Sequence, residues 1–252
     1  MSTVLLEVEN LSKDFGATRA IDELSISLPR GEVTSIIGPN GAGKTTLFNL
    51  LTGEIAPTSG EIRFDGDRID DRSPSELARL GISRSYQINN FFPDLTVLEN
   101  ILIATQSEDA GFGPADFLGS RAASPAARER AADVIDTVGL TDVTDQEASL
   151  LSHGQQRHLE VALALALNPE LLLLDEPTAG MSPDTTAAMK DLLGRLSTEY
   201  TIVVVEHDME MVMEISDRVI VINRGSLVAS GSPTEVKDNE AVQRIYLGGT
   251  TA

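Results

Sequence analysis

Residues Gly38 to Thr45, Gly-Pro-Asn-Gly-Ala-Gly-Lys-Thr, follow the spacing G-x-x-x-x-G-K-[ST] and stand directly behind the apolar run Val33 to Ile37. A glycine-rich loop between a strand and a helix aims backbone N–H groups and the positive end of the helix dipole at a chain of phosphates. In such a loop Gly38, Pro39, Asn40, Gly41, Ala42 and Gly43 form the cradle. Lys44 reaches the β- and γ-phosphates, and Thr45, with Thr46 beside it, offers a hydroxyl at the helix start, where Mg²⁺ sits. The plain alternative is a glycine-rich turn. Against it, Thr46 to Thr52 reads as a helix stopped by Gly53.

Two further patterns carry chemistry. Leu171 to Leu174 lead into Asp175 and Glu176. If this strand ends at the C-terminal edge of a parallel sheet beside the loop, Asp175 can hold Mg²⁺ through water and Glu176 can orient and deprotonate an attacking water. Read alone, the pair is a solvated strand end. Leu151-Ser152-His153-Gly154-Gln155 precedes a helix-like stretch, Gln156 to Leu167. Ser152 as N-cap with Gln155 three residues on makes a capping box, and a capped helix start is also an anion site, so both readings hold together.

The elements that must position these residues alternate along the chain. Leu5 to Val8, Ile21 to Leu28 and Glu61 to Phe64 read as a short β layer with period-2 alternation. Val33 to Ile37, Leu171 to Leu174, Ile202 to Val205 and Val219 to Ile222 are near-continuous apolar runs, as in strands buried on both faces of a parallel sheet. Between Gln87 and Leu167 the character turns helical, with Val97 to Ala104 and Ala126 to Val138 separated by Gly- and Pro-bearing linkers. A helical insertion therefore interrupts an α/β core.

Composition narrows the field. The 252 residues are 41% hydrophobic, enough for one large core. No apolar run approaches the ~18 residues that span a bilayer, and Glu7 and Glu9 near the start argue against a secretory signal. Without cysteine there are no disulfides, thiolate chemistry or cysteine-bound metals, and three His are too few for a His-rich site, so the metal expected is Mg²⁺ brought with nucleotide. The balance of 39 acidic against 19 basic residues gives a net charge of −20, with Lys13, Lys44, Lys190 and Lys237 the only lysines. Such a surface repels bare nucleic acid and anionic lipid. It is either an ordinary solubilising surface or an adaptation to a salt-rich cytoplasm, where screening over ~3 Å at 1 M salt suppresses self-repulsion.

Taken in order, these motifs resemble the ATP-binding-cassette (ABC) ATPases over nearly the whole chain. Leu151 to Gln155 is similar to the signature LSGGQ, Gln87 to the Q-loop glutamine, Asp175 and Glu176 to the Walker B pair, and His207 in Val205-Glu206-His207-Asp208 to the switch histidine. Phe15 matches the aromatic that stacks on adenine, although a lone Phe there also suits a core. The resemblance implies ATP and Mg²⁺ as cofactors, with Thr45, Gln87 and Asp175 around the metal. Glu176, His207 and Gln87 would serve catalysis, and Phe15, the loop residues, Ser152, Gly154 and Gln155 would bind nucleotide. It implies an α/β fold, a P-loop NTPase (RecA-like) core with a short antiparallel β layer and an inserted helical subdomain. The layout would be one domain over 1–252, a helical subdomain over 87–158 and a C-terminal tail over 239–252. In the family two such domains sandwich two ATP molecules, each signature helix closing on the nucleotide of the other, so a second copy or related subunit is implied. Two departures stand out: His153 where the signature carries Gly, and Ser182 in the D-loop Ala179-Gly180-Met181-Ser182 where many members carry Asp.

Within the family the likeness is to the ATP-binding subunit of branched-chain amino-acid importers. Leu151 to Glu160, Glu206 to Asp217, Arg244 to Gly249 and the insertion Gln106 to Ala127 carry it. That implies membrane permease subunits as partners, an external solute-binding protein acting indirectly, no nucleic acid, and a peripheral place on the cytoplasmic face of the cell membrane. Urea-type importers and ATPases of lipopolysaccharide export look similar. A soluble ABC protein of translation or DNA repair would show two cassettes or a long coiled coil, and a P-loop kinase or GTPase would lack the signature and His207.

Overall fold

Val33–Ile37 and Thr201–Val205 are short, mostly aliphatic runs in which every residue is buried, Thr34, Ser35 and Thr201 included. They lie parallel, Val33 opposite Ile202 and Ile36 opposite Val205. Branched side chains favour the pleated backbone, and burial on both faces removes the need for polar alternation. The computed structural model describes residues 3–85, 91–106 and 123–247. Its strands are β1 (Val4–Phe15), β2 (Thr18–Pro29), β3 (Val33–Ile37), β4 (Ser59–Phe64), β5 (Asp67–Arg68), β6 (Ile82–Ser85), β7 (Leu171–Asp175), β8 (Thr201–Val205), β9 (Arg218–Asn223) and β10 (Ser226–Gly231). The chain divides into two compact units, Met1–Leu77 with Leu193–Ala252, and Ala78–Leu192.

In the first unit an antiparallel layer runs in the order β2-β1-β4-β5, with Leu6 opposite Phe64 and Val8 opposite Ile62. Ile26 and Leu28 alternate inward against exposed neighbours along β2, which is the period-2 pattern legible in the sequence. A second sheet places β10, β9, β3 and β8 side by side, with β3 parallel to both β8 and β9. The β9–β10 hairpin turns through Arg224 (φ 52°) and Gly225 (φ 82°), two left-handed residues as a tight hairpin requires. Beneath it Ile37, Val212, Val219, Val221, Val236 and Val242 form an apolar cluster.

The second unit contains one parallel strand pair, β6 with β7, in the register Ile82–Leu171 to Ser85–Leu174. Around it are helices Val97–Gln106, Pro125–Thr137 and His153–Leu165. Ser124 caps the middle helix, with Pro125 in its first turn, where a missing N–H costs nothing. Backbone bonds from Val97, Leu98, Ala148 and Ser149 lace the segment 93–98 to 144–149.

The expected strands are present, but β1 and β2 run well beyond the apolar stretches that announce them. The capped helix starts at His153 and ends at Leu165, because the capping residues themselves form its first turn. β6 and β10 carry no apolar pattern and are additions. Among the described residues no helix is long and apolar enough to cross a membrane.

Candidate functional site

The phosphate loop is built by close packing. A Cβ at Gly38 would collide with the Ile222 carbonyl oxygen, and one at Gly43 would sit 2.7 Å from the Ala20 carbonyl oxygen. Gly43 is also left-handed (φ 106°) as the N-cap of helix Lys44–Leu51, so only glycine serves there. Gly225 N–H donates to Ala42 O at 2.9 Å, and Asp22 N–H to Gly225 O at 3.0 Å, tying the loop to β2 and the β9–β10 turn. Leu47, Phe48, Leu50 and Leu51 anchor the helix inward. A helix so anchored presents its first-turn N–H groups and the positive end of its dipole on the loop side. Lys44 Nζ donates to Gly38 O at 2.6 Å and Pro39 O at 3.2 Å, which holds the ammonium inside the loop.

Two more expected residues lie in this unit. Phe15 ends β1 opposite Thr18 and is 50% exposed, with Lys13 Nζ 5.2 Å from its ring centre, so it is no core residue. His207 follows β8 with its side chain exposed, Nδ1 3.7 Å from a carboxylate oxygen of the fully buried Glu206. Asp208 caps the next helix, Met209–Ile215, accepting from Glu210 and Met211 N–H. The Glu-His-Asp run therefore sets the imidazole between a buried carboxyl group and a helix start.

The second unit holds the carboxylates and the signature turn. Asp175 is the last residue of β7 and is buried. Arg84 on β6 donates to its Oδ2 at 2.7 Å. Glu176 follows in the left-handed region, φ 49°. The capping box is complete: Gln155 N–H donates to Ser152 Oγ at 3.3 Å, and Ser152 N–H to Gln155 Oε1 at 2.9 Å. Gly154 packs on Thr185, and His153 reaches the D-loop carbonyl of Ala179. Ser182, the other departure, accepts from Thr185 N–H at 3.4 Å and so caps helix Pro183–Leu196.

Gln87 lies outside the described residues. The others fall into the two units: Phe15, Gly38 to Thr46 and His207 in the first, and Ser152, Gly154, Gln155, Asp175 and Glu176 in the second. Arg84 was not legible as a site residue, because no periodicity marks the run Ile-Ser-Arg-Ser; only its place three residues ahead of Gln87 is suggestive.

A glycine cradle at a helix start, carrying Lys and Thr, defines a P-loop nucleotide-binding protein. Residues 21–179 match the ABC transporter family, and residues 226–252 match the branched-chain amino acid ATP-binding cassette transporter family. The high-affinity branched-chain amino acid transport ATP-binding protein BraF of Pseudomonas aeruginosa is 40% identical over 257 residues, covering 98% of this chain and 99% of that one. A solved ATP-binding cassette of an ABC transporter in its ADP conformation superposes with a TM-score of 0.87 at 32% identity, covering 98% of this chain and 100% of that one. A dimeric ABC transporter cassette bound to ADP and Pi superposes with a TM-score of 0.76 at 28% identity, over 91% of this chain and 99% of that one. The chain belongs to the ATP-binding-cassette family of transport ATPases, whose members bind and hydrolyse ATP.

Proposed function

We propose that the chain is the ATP-hydrolysing subunit of an importer for branched-chain amino acids, docked at the cytoplasmic side of membrane permease subunits and working as one of two paired cassettes. The observation that carries the solute class is the match of residues 226–252 to the branched-chain cassette family, outside the segment shared by ABC transporters at large. Near-full-length identity to BraF supports it.

In this reading the loop from Gly38 to Thr46 binds the ATP phosphates through backbone N–H groups and Lys44, and Phe15 offers its exposed ring to the adenine. Mg²⁺, when bound, neutralises charge on the β- and γ-phosphate oxygens. By the family resemblance the Thr45 hydroxyl, the Asp175 carboxylate and the Gln87 amide oxygen would hold it, oxygen donors of the kind a hard cation takes. Glu176 takes the proton of the attacking water, and His207 contacts the terminal phosphate. Ser152, Gly154 and Gln155 close on the nucleotide held by the partner cassette.

The test is expression with the native permease subunits, co-purification and reconstitution in liposomes with an external binding protein. ATP-dependent accumulation of leucine, isoleucine or valine is the expected result. Transport of urea, or extraction of a lipopolysaccharide, would replace the solute assignment and leave the ATPase.

A further inference from the structure

Asp175 and Arg84 form an ion pair with only 4% and 7% of their side chains exposed, Oδ2 to Nη2 2.7 Å. Both stand on the parallel pair β6–β7, where Arg84 faces Leu173 in register and Asp175 ends the strand. Removing a carboxylate and a guanidinium from water costs more than most such pairs return, and a hydrophobic pair of similar volume would serve the fold as well or better. The charge pair therefore calls for a reason other than stability.

We propose that Arg84 is the positioning residue of the metal-binding carboxylate. The inference rests on the reading of Asp175 as the Mg²⁺ carboxylate. With Oδ2 accepting from Arg84, Oδ1 is the oxygen that would be offered to a metal ion. The guanidinium is rigid and carried on a strand, so its Nη2–Oδ2 bond fixes where that carboxylate oxygen stands. Its charge pairs a carboxylate that burial would otherwise leave uncompensated. Partners that orient metal ligands from behind are worth about 10–100-fold in metal affinity, and we assign Arg84 to that class.

The test uses the full chain and the variants Arg84→Lys and Arg84→Gln. The readouts are melting temperature, affinity for a fluorescent ATP analogue in EDTA and in Mg²⁺, and the number and affinity of Mn²⁺ ions seen by electron paramagnetic resonance in the ATP-bound protein. Lysine keeps the charge and loses the fork; glutamine keeps a donor and loses the charge. Nucleotide affinity in EDTA should stay within about twofold of the parent, since the loop is untouched. The Mg²⁺ and Mn²⁺ midpoints should rise by about threefold for Lys and about tenfold or more for Gln. If the Gln variant does not fold, the Lys variant decides: a folded Lys variant with parental metal midpoints overturns the role. A parent whose ATP affinity ignores Mg²⁺ would instead overturn the metal site itself, Arg84 with it, whereas a metal-dependent parent with unchanged variants removes Arg84 alone.

Discussion

His153 Nε2 lies 3.3 Å from the carbonyl oxygen of Ala179, joining the first turn of the signature helix to the D-loop within one unit. A carbonyl only accepts, so Nε2 carries the hydrogen. Beside this bond Thr185 Cγ2 comes within 2.9 Å of where a Gly154 Cβ would stand, so the turn and the loop pack as one body. The residue that departs from the usual signature thus fastens two segments that face the partner cassette in the proposed dimer. Replacing His153 with Ala should lower ATP turnover several-fold with nucleotide affinity unchanged, and cost no more than about 1 kcal/mol of stability because the bond is exposed. Steady-state hydrolysis and a melting curve decide it; parental turnover would mean that the bond is incidental.

Glu176→Gln should bind ATP as the parent does yet turn it over at least about a hundredfold more slowly, since the base is lost while the phosphate contacts stay. Lys44→Ala should fail at the binding step. Hydrolysis by the Gln variant near the parental rate would assign the proton transfer to another group.

The two adjacent phenylalanines, Phe91 and Phe92, behave differently. Phe91 is 7% exposed and belongs to the core; Phe92 is 53% exposed. Its backbone is clamped by the buried Asn100, which accepts from Phe92 N–H at 2.7 Å and donates to Phe92 O at 3.0 Å. An apolar ring held outward on a rigid support suits a permease helix. Phe92→Ser should keep the melting temperature and basal ATPase and lose transport in liposomes, whereas Phe91→Ser should unfold early, by about 3 kcal/mol or more. Parental transport by Phe92→Ser would exclude docking through this ring.

The sequence made visible those elements whose signals are local. Val33–Ile37 and Thr201–Val205 declare themselves by continuous branched residues, and Ser152 with Gln155 declares a helix start by hydrogen-bond chemistry alone. The phosphate loop was equally plain, because its glycines answer contacts with Ile222 and Ala20 that no other residue tolerates. β6 escaped notice because Ser83 and Ser85 are buried polar residues and Arg84 a partly buried one, and their burial is decided by neighbours distant in sequence. The fate of Phe91 and Phe92 was hidden for the same reason: adjacent residues in a loop point apart, and only the Asn100 clamp determines which one faces outward.

With a net charge of −20, self-repulsion should oppose both compaction and the approach of two acidic cassettes. Exposed ion pairs such as Arg30–Asp65, 2.9 Å apart, offset little of it. In a KCl series from dilute buffer to molar salt, melting temperature and ATPase rate should rise together as the screening length shrinks to ~3 Å. A protein most stable and active in dilute buffer would make the acidic surface an ordinary solubilising one.

The left-handed backbone of Glu176 sets evolvability against catalysis at a single position. A side chain with a Cβ pays about 1 kcal/mol to sit at φ 49°, a conformation that Gly adopts freely and Asn tolerates. A library selected for heat resistance alone should drift there toward Gly or Asn, gaining stability while discarding the carboxylate. Glutamate would persist only under selection for turnover, so the residue recovered at 176 would report which pressure the population had been under.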